Sequence, residues 1–361
     1  MNKKTGHSER TRELLIKHYQ TYPKLQTEDV FKYIFQSAFG CEHLVSSEDA
    51  VLNNIKLEYA TVSKQAQPKT EILDGEYSRV FLSHLNDGLK PETLAKLVCL
   101  SAKKEPNGAV SLEEKIEVAK LLVADGTLPF DVNCFDEKLA CWRAMGYPAV
   151  RHSEEFRAEY RPAYRVVANR YAEFIQVFAG IDKLLDQGDA VVAIEGGSAS
   201  GKTTLAGILC EVYDCNIFHM DDFFLRPEQR TPQRFAEVGG NIDRERFFSE
   251  VIKPISENRE VVYRRFDCTS QTLCEPITVK PKKLTVIEGA YSMHPQFAQY
   301  YDFSVFMDID AEYQRERILK RNRLPLANRF FNEWIPLEIE YFSKMKIKEK
   351  CSITVSVAKI R

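Results

Sequence analysis

The sequence has no long hydrophobic run and no apolar leader. No segment approaches the ~18 to 20 apolar residues that a membrane-spanning helix requires. The first residues, MNKKTGHSERTRELLIKHYQ, are polar and lack the apolar centre of a signal peptide. The formal net charge of -2 gives the whole chain no strong electrostatic attraction to nucleic acid or to an anionic membrane. We therefore expect a cytoplasmic protein whose partners include neither nucleic acid nor a membrane.

The cysteines also lack a recognisable pattern. There are nine, an odd number, and no two of them form a C-x-x-C pair. A disulfide framework or a zinc site would need paired or regularly spaced cysteines. The sequence therefore predicts reduced thiols throughout, at Cys41, Cys99, Cys134, Cys141, Cys210, Cys215, Cys268, Cys274 and Cys351.

Length and hydrophobic pattern divide the chain into two halves. A chain of 361 residues exceeds one typical hydrophobic core, which favours two domains. Residues 1–165 are expected to be mostly helical, because segments such as TEDVFKYIFQSAF place apolar residues on one helix face. The segment AYRVVANRYAEFIQVFAGIDKLLDQGD is predicted to be one long helix, which at 166–188 links the first domain to a second at 166–361. The sequence assigns no function to the first domain and leaves a homo-oligomer open.

Short apolar runs alternate with helical segments from about residue 190 onward. The runs are DAVVAIEG, CNIFHMDD, KLTVIEGAYS, YDFSVFMDID and CSITVSVA. Buried strands that alternate with helices form parallel sheets with helices on both faces. The second half is therefore predicted to be an α/β domain with a five-stranded parallel sheet.

A glycine-rich segment between the first apolar run and the next helix fits the phosphate-loop pattern G-x-x-x-x-G-K-[ST]. Glycines let the backbone curl so that N–H groups point at phosphate oxygens, and the following helix directs its positive dipole end at the same anion. In such a loop Lys202 reaches the β- and γ-phosphates, and the Thr203 hydroxyl binds Mg²⁺. The strand–loop–helix context predicts a P-loop NTPase fold with ATP and Mg²⁺ as cofactors. The predicted nucleotide-binding residues here are Gly196, Gly197, Ser198, Ala199, Ser200, Gly201, Lys202, Thr203 and Thr204.

Two acidic residues, Asp221 and Asp222, follow the second apolar run. They are expected at the carboxyl edge of the sheet, where open α/β sheets bind their ligands. A carboxylate at this edge can accept the proton of a substrate hydroxyl during phosphoryl transfer. The two acids can also cap the turn after the strand, and the sequence leaves open which of them would be the base.

Four motifs in the second half resemble those of the uridine kinase, nicotinamide riboside kinase and phosphoribulokinase group. The motifs are GGSASGKTT, HMDDFF, NIDRERF and VIEGAYS, and the resemblance covers about residues 180–361. It implies a phosphotransferase that moves the γ-phosphoryl group of ATP to a hydroxyl of a small, nucleoside-like substrate. It also implies that Asp221 and Lys202 are catalytic, that Asp243 holds ribose hydroxyls, and that Glu288 lies near Mg²⁺.

Further residues match those that bind the phosphates and the acceptor in this group of kinases. Arg317 and Arg321, four residues apart on one helix face, match arginines that bind the phosphates. Tyr263 matches a tyrosine that recognises the base in uridine kinases, but the histidine that accompanies it has no counterpart here. The acceptor can therefore be a nucleoside or a non-nucleoside alcohol, such as a sugar or an amino-acid-like compound. A nucleotide-dependent switch that controls the first domain is a further alternative, although a switch needs no substrate-facing carboxylates at Asp221 and Asp243.

Overall fold

A computed structural model describes residues 2–62, 69–103 and 105–357 of the chain. The chain divides into two compact units, Met1–Ala179 and Gly180–Arg361. The division between residues 179 and 180 lies inside the segment predicted as a linking helix, whereas the sequence placed the boundary at its start, at 165/166.

The first unit consists mostly of helices, together with a small antiparallel sheet of order β1–β2–β3. Its helices are α1 (Asn2–Thr21), α2 (Thr27–Phe39), α3 (Glu48–Tyr59), α4 (Pro91–Ser101), α5 (Gly108–Ala124), α6 (Val132–Ala144), α7 (Glu154–Tyr160) and α8 (Asn169–Ala172), followed by α9 (Ile175–Leu185), which includes the division. Its strands are β1 (Thr70–Ile72), β2 (Tyr77–Phe81) and β3 (Tyr164–Ala168). Apolar residues three and four apart bury one helix face, for example Phe31, Ile34 and Phe35 in α2.

The predicted single helix over 166–188 is wrong in its first part. The segment opens with strand β3, which pairs antiparallel with β2. Its two β-branched residues, Val166 and Val167, are buried there and suit a strand better than a helix. Helical structure begins only with α8 and continues in α9.

A buried polar network lies inside the first unit. Arg79 is 1% exposed, and its guanidinium donates to one carboxylate oxygen of Glu71 at 3.0 Å. The other oxygen of Glu71 lies 2.6 Å from His18 Nδ1. Burial opposes the charge of Glu71, but Arg79 and His18 lower its pKa to about 2. Loss of one partner of such a pair leaves the other as a buried charge without compensation. The network therefore constrains how the interior of this unit can pack.

The second unit contains the predicted five-stranded parallel sheet, which is confirmed. The strand order is β10–β9–β4–β8–β5, and each pairing is parallel. The strands of this unit are β4 (Ala190–Gly196), β5 (Cys215–His219), β6 (Val261–Asp267), β7 (Thr272–Val279), β8 (Leu284–Glu288), β9 (Phe303–Ile309) and β10 (Ile353–Val357). The helices are α10 (Lys202–Val212), α11 (Pro232–Phe235), α12 (Arg244–Phe247), α13 (Lys253–Ser256), α14 (Ala311–Arg321), α15 (Leu324–Arg329), α16 (Ile335–Met345) and α17 (Ile347–Lys350).

The strand order sets the carboxyl ends of three strands side by side. β4 is central and ends at Gly196, while the neighbouring β8 ends at Glu288. β5 lies on the far side of β8 and ends at His219, opposite Glu288. Strands β6 and β7 form a separate antiparallel hairpin. The segments that follow β4, β5 and β8 therefore converge at one edge of the sheet, where ligands of open α/β sheets bind.

The helices and the cysteines bear on two of the expectations from the sequence. Within the ranges that the structure describes, no helix combines the length and the apolar character needed to cross a membrane. The prediction of reduced thiols throughout is wrong at one place, because Cys210 and Cys215 form a disulfide. Cys210 lies in α10 and Cys215 begins β5, so the tight connection between them brings the two Cα atoms to 5.6 Å, within the usual range for such a bond.

Candidate active site

The loop after β4 has a backbone shape suited to phosphate binding. Gly196 has a φ of 146° and Gly201 a φ of 102°, values that favour glycine. A Cβ on Gly196 would lie 2.6 Å from the carbonyl oxygen of Met307, so no side chain fits there. Gly201 is the N-cap of α10, a helix whose first N–H groups have no partners within the helix. Residues 196–204 thus run from the last residue of the central strand through the loop into the first turn of α10.

Lys202 folds back over this loop. Its Nζ donates to the carbonyl oxygens of Gly196 at 2.8 Å and Gly197 at 2.9 Å, and the residue is 9% exposed. These bonds hold the ammonium group inside the curl of the loop, where it can exchange carbonyl oxygens for phosphate oxygens. Thr203 and Thr204 are exposed in the first turn of α10.

Thr203 and Glu288 lie together, as a shared metal site requires. The Thr203 hydroxyl donates to Glu288 Oε1 at 3.1 Å, and the same oxygen lies 2.5 Å from Nδ1 of His219, a residue that the sequence did not single out. The hydrogen bond to Glu288 raises the pKa of His219. Among the described residues, no three His, Cys, Asp or Glu side chains form a cluster that could hold a metal ion. A carboxylate and a hydroxyl nevertheless fit Mg²⁺, which uses few protein oxygens and takes its other ligands from phosphate and water.

Asp221 and Asp222 follow β5 at the same edge, but they face different groups. Asp221 is accessible to solvent, and its carboxylate has no hydrogen-bond partner in the part of the chain that the structure describes. Desolvation by the surrounding protein raises the pKa of Asp221, and the charge of Lys202 opposes this rise. Burial likewise raises the pKa of Asp222, with His219 and Arg265 opposing it. The charge of Lys202 in the phosphate loop thus acts on Asp221, whereas the charge of Arg265 in β6 acts on Asp222.

Asp243 and Tyr263, both predicted to contact the acceptor, are buried. Asp243 is 1% exposed and caps α12 by accepting the Arg246 N–H at 3.1 Å. Its Oδ2 makes no hydrogen bond to a described residue, although Arg246 Nε lies 3.5 Å away and Arg226 Nε 3.8 Å away. The Tyr263 ring stacks on Phe223 with centroids 5.7 Å apart. Asp243 thus keeps one acceptor oxygen unused, whereas Tyr263 is part of the apolar core.

Arg317 borders the phosphate loop, and Arg321 follows it one turn later in α14. A Cβ on Gly201 would lie 3.7 Å from Arg317 Nη1, so the guanidinium is next to the start of α10. The charge of Arg321 favours the ionised form of Asp221. Neither arginine forms an ion pair with any residue that the structure describes. Both therefore remain available to an anionic ligand.

Four residues around the loop were missed by sequence reasoning. Glu338 in α16 accepts the Ser198 N–H at 2.8 Å and the Ser198 hydroxyl at 2.6 Å. Gln314 in α14 donates to the carbonyl oxygen of Ser198 at 2.7 Å. Glu195, directly before the loop, accepts from the Tyr341 hydroxyl at 3.1 Å. For Glu338 and Tyr341, the sequence offered one signal: their spacing of three residues puts both on one face of α16.

The buried carboxyl of Glu195 makes the stability of the protein depend on pH. It is fully buried, and burial raises its pKa from 4.5 to about 7. Folding therefore takes up a proton between these two values, and the free energy of unfolding falls as the pH rises through this window. We expect Glu195→Gln, which stays neutral, to remove this fall. Thermal melting of both proteins from pH 5 to 8 measures the effect, and a wild type that loses no stability relative to the variant would contradict it.

The comparisons with known proteins concern part of the chain, and no family model matches it. Uridine kinase from Chlamydia pneumoniae is 29% identical over 140 residues, which cover 36% of this chain and 61% of that protein. The tRNA-specific adenosine deaminase subunit tad2 from Schizosaccharomyces pombe is 29% identical over 140 residues, which cover 37% of this chain and 33% of that protein. The structure of a possible uridine kinase from Bacillus stearothermophilus is 20% identical, with a TM-score of 0.38, over 50% of this chain and 98% of that one.

The chain thus spans less than two thirds of the length of each of these two curated relatives. Over the matched part, the resemblance to uridine kinase-like P-loop kinases that the four motifs predicted is confirmed.

Proposed function

From this similarity and the geometry of the site, we propose that the protein is an ATP- and Mg²⁺-dependent small-molecule kinase. It transfers the γ-phosphoryl group to a hydroxyl, and a nucleoside-like compound is the leading acceptor. One observation carries the proposal: Lys202, the Thr203–Glu288 pair and the unpartnered carboxylate of Asp221 converge at one edge of the sheet. A nucleotide switch needs the first two of these features but has no use for the third.

In the proposed reaction, the chain's own groups bind the phosphates and remove one proton. The loop N–H groups and Lys202 bind phosphate oxygens of ATP, with Arg317 and Arg321 adding positive charge. Asp221 takes the proton of the acceptor hydroxyl as that oxygen bonds to the γ-phosphorus and the bond to the bridging oxygen breaks, which releases ADP. The raised pKa of Asp221 makes it a stronger base for this transfer. Mg²⁺ bound near Thr203 would neutralise charge on the phosphates.

Turnover with pooled acceptors tests the proposal. Purified protein with ATP, Mg²⁺ and pools of nucleosides, sugars and amino alcohols should release ADP above the acceptor-free rate with one of the pools. Mass spectrometry of the product should show one added phosphate. ATP binding without acceptor-dependent ADP release would favour the switch, and absence of ATP binding would overturn the nucleotide site.

The β6–β7 hairpin supports a non-nucleoside alcohol as a second candidate acceptor. Asp267, Cys268 and Thr269 occupy the neighbourhood in which uridine kinases carry a base-reading histidine. Asp267 accepts the Thr269 N–H at 2.7 Å and the Ser270 hydroxyl at 3.0 Å, so its carboxylate stabilises the hairpin turn. Gln271 donates to the carbonyl oxygen of Cys268. The side chains of Asp267 and Gln271 are thus engaged by groups within the turn itself.

We expect uridine and cytidine to be poor substrates, with kcat/KM at least about 10²-fold below that of the best acceptor. A polar base edge that loses its hydrogen-bond partners on entering the site binds weakly. Coupled assays of ADP release with each nucleoside at equal concentration measure the ratio. Efficient and specific uridine phosphorylation that is lost in Gln271→Ala would instead show that Gln271 reads the base.

A further inference from the structure

Glu338 occupies donor groups of the phosphate loop. Its two carboxylate oxygens accept the N–H and the hydroxyl of Ser198, at 2.8 and 2.6 Å. The residue is 4% exposed, and its Oε2 would lie 3.5 Å from a Cβ placed on Gly197. A buried carboxylate therefore lies against the segment whose N–H groups are expected to bind the phosphates of a nucleotide.

The surroundings of Glu338 are those of the proposed reaction centre. Burial raises the pKa of Glu338, the charge of Lys202 opposes the rise, and the charge of Asp221 adds to it. Glu338 thus lies within electrostatic range of both the loop lysine and the candidate base. A carboxylate that kept both its charge and this position would repel an incoming phosphate.

We propose that Glu338 competes with ATP for the phosphate loop. Its carboxylate accepts hydrogen bonds from Ser198 in the protein without nucleotide, and it leaves Ser198 when ATP binds. A carboxylate oxygen and a phosphate oxygen are both anionic acceptors, and one N–H donates at full strength to only one of them. The inference rests on the proposed nucleotide site and adds that Glu338 partly sets its affinity.

Glu338 bonds α16 directly to the loop, so its release should let the helix shift relative to the loop. Tyr341, one turn after Glu338, donates to Glu195 at 3.1 Å. Trp334 precedes the first residue of α16, and its ring packs edge-on against Phe330 with centroids 4.4 Å apart. A movement of α16 therefore changes the environment of Trp334.

The ATP affinity of Glu338→Gln tests the inference. Glutamine has the same size and can still bond to Ser198, but it carries no charge, so we expect it to bind ATP with Mg²⁺ about tenfold more tightly than the wild type. Glu340→Gln is the matched control, because Glu340 is an exposed acid of the same helix that pairs with Lys344 at 2.6 Å. Its dissociation constant should equal that of the wild type. Calorimetric titration measures all three proteins, and thermal melting shows that each is folded.

Trp334 fluorescence supplies a second measurement that requires no change at Glu338. The chain has two tryptophans, and the other, Trp142, stacks on Phe31 in the first unit. ATP should alter the emission of the wild type, and this change should be missing in Trp334→Phe.

The possible negative results of these experiments lead to different conclusions. An unchanged or weaker ATP affinity in folded Glu338→Gln would overturn the competition and leave Glu338 as a structural support of the loop. Trp334 emission that ignores ATP, in a protein that binds ATP, would overturn the release of Glu338 through movement of α16. A wild type that binds no ATP would contradict the proposed nucleotide site, and the competition with it.

Discussion

The Asp221→Asn variant is expected to bind ATP nearly as well as the wild type and to transfer the phosphoryl group about 10²- to 10⁴-fold more slowly, the usual range for a positioned general base. Asparagine keeps the size of aspartate but cannot take a proton. Lys202, Thr203 and the loop N–H groups are unchanged, so ATP affinity should persist. A loose transition state with late proton transfer would give the lower end of the range. Single-turnover transfer and calorimetric ATP affinity measure the two quantities separately.

Asp222→Asn is the matched control for this variant. Asp222 interacts with Arg265 and Arg246, whereas Asp221 interacts with Lys202. The Oδ2 atom of Asp222 is buried and has no hydrogen bond to a described residue, so no capping bond is lost through that atom. We expect its replacement to change the transfer rate far less. A larger transfer defect in Asp222→Asn than in Asp221→Asn would identify Asp222 as the base.

Lys202→Ala should lower turnover by about 10²- to 10³-fold, as removal of one preorganised donor from a reaction centre does. The variant loses a charge-assisted contact to the phosphates, so ATP should also bind more weakly. It further removes the donor that bonds the carbonyl oxygens of Gly196 and Gly197 in the empty loop. Steady-state ADP release and calorimetric ATP titration measure both effects.

Lys282→Ala removes the same charge at a distance from the loop. Lys282 lies just before β8, at the opposite end of the strands, where it pairs with Asp214 at 2.6 Å. This variant should keep the wild-type turnover and affinity. If Lys202→Ala is folded and matches it in both measurements, the phosphate-loop assignment is wrong.

Local patterns in the sequence were sufficient to predict the sheet and the loop. Each of the five apolar runs forms a strand, because a central strand such as β8 is buried along its whole length and must be apolar. The loop could be predicted because its glycines, lysine and threonine at fixed spacing specify a backbone shape and not a distant contact. The position of β3 could not, because that strand depends on pairing with β2, far away in the chain.

Contacts between distant segments account for what the sequence did not reveal. Glu338 and Ser198 are 140 residues apart, and in the sequence Glu338 is one of several charges on an amphipathic helix. Its spacing from Tyr341 shows a shared helix face, but not what that face contacts. The same holds for Arg79, since a charged residue inside a strand is ordinarily expected to face water. Its burial follows from Glu71 and His18, which the fold brings to it.

The central place of β4 bears on the order in which the chain folds during its synthesis. β4 pairs with β8 and β9, which begin at Leu284 and Phe303, while β5, the next strand of this sheet along the chain, pairs with β8 and not with β4. Neither β4 nor β5 can therefore pair within this sheet until β8 has left the ribosome, and such long-range pairing is slow. A nascent chain that ends before Leu284 exposes two unpaired apolar strands, a stage that is prone to aggregation. Chaperones would contribute most at this stage, before the loop has taken the shape that a nucleotide could stabilise.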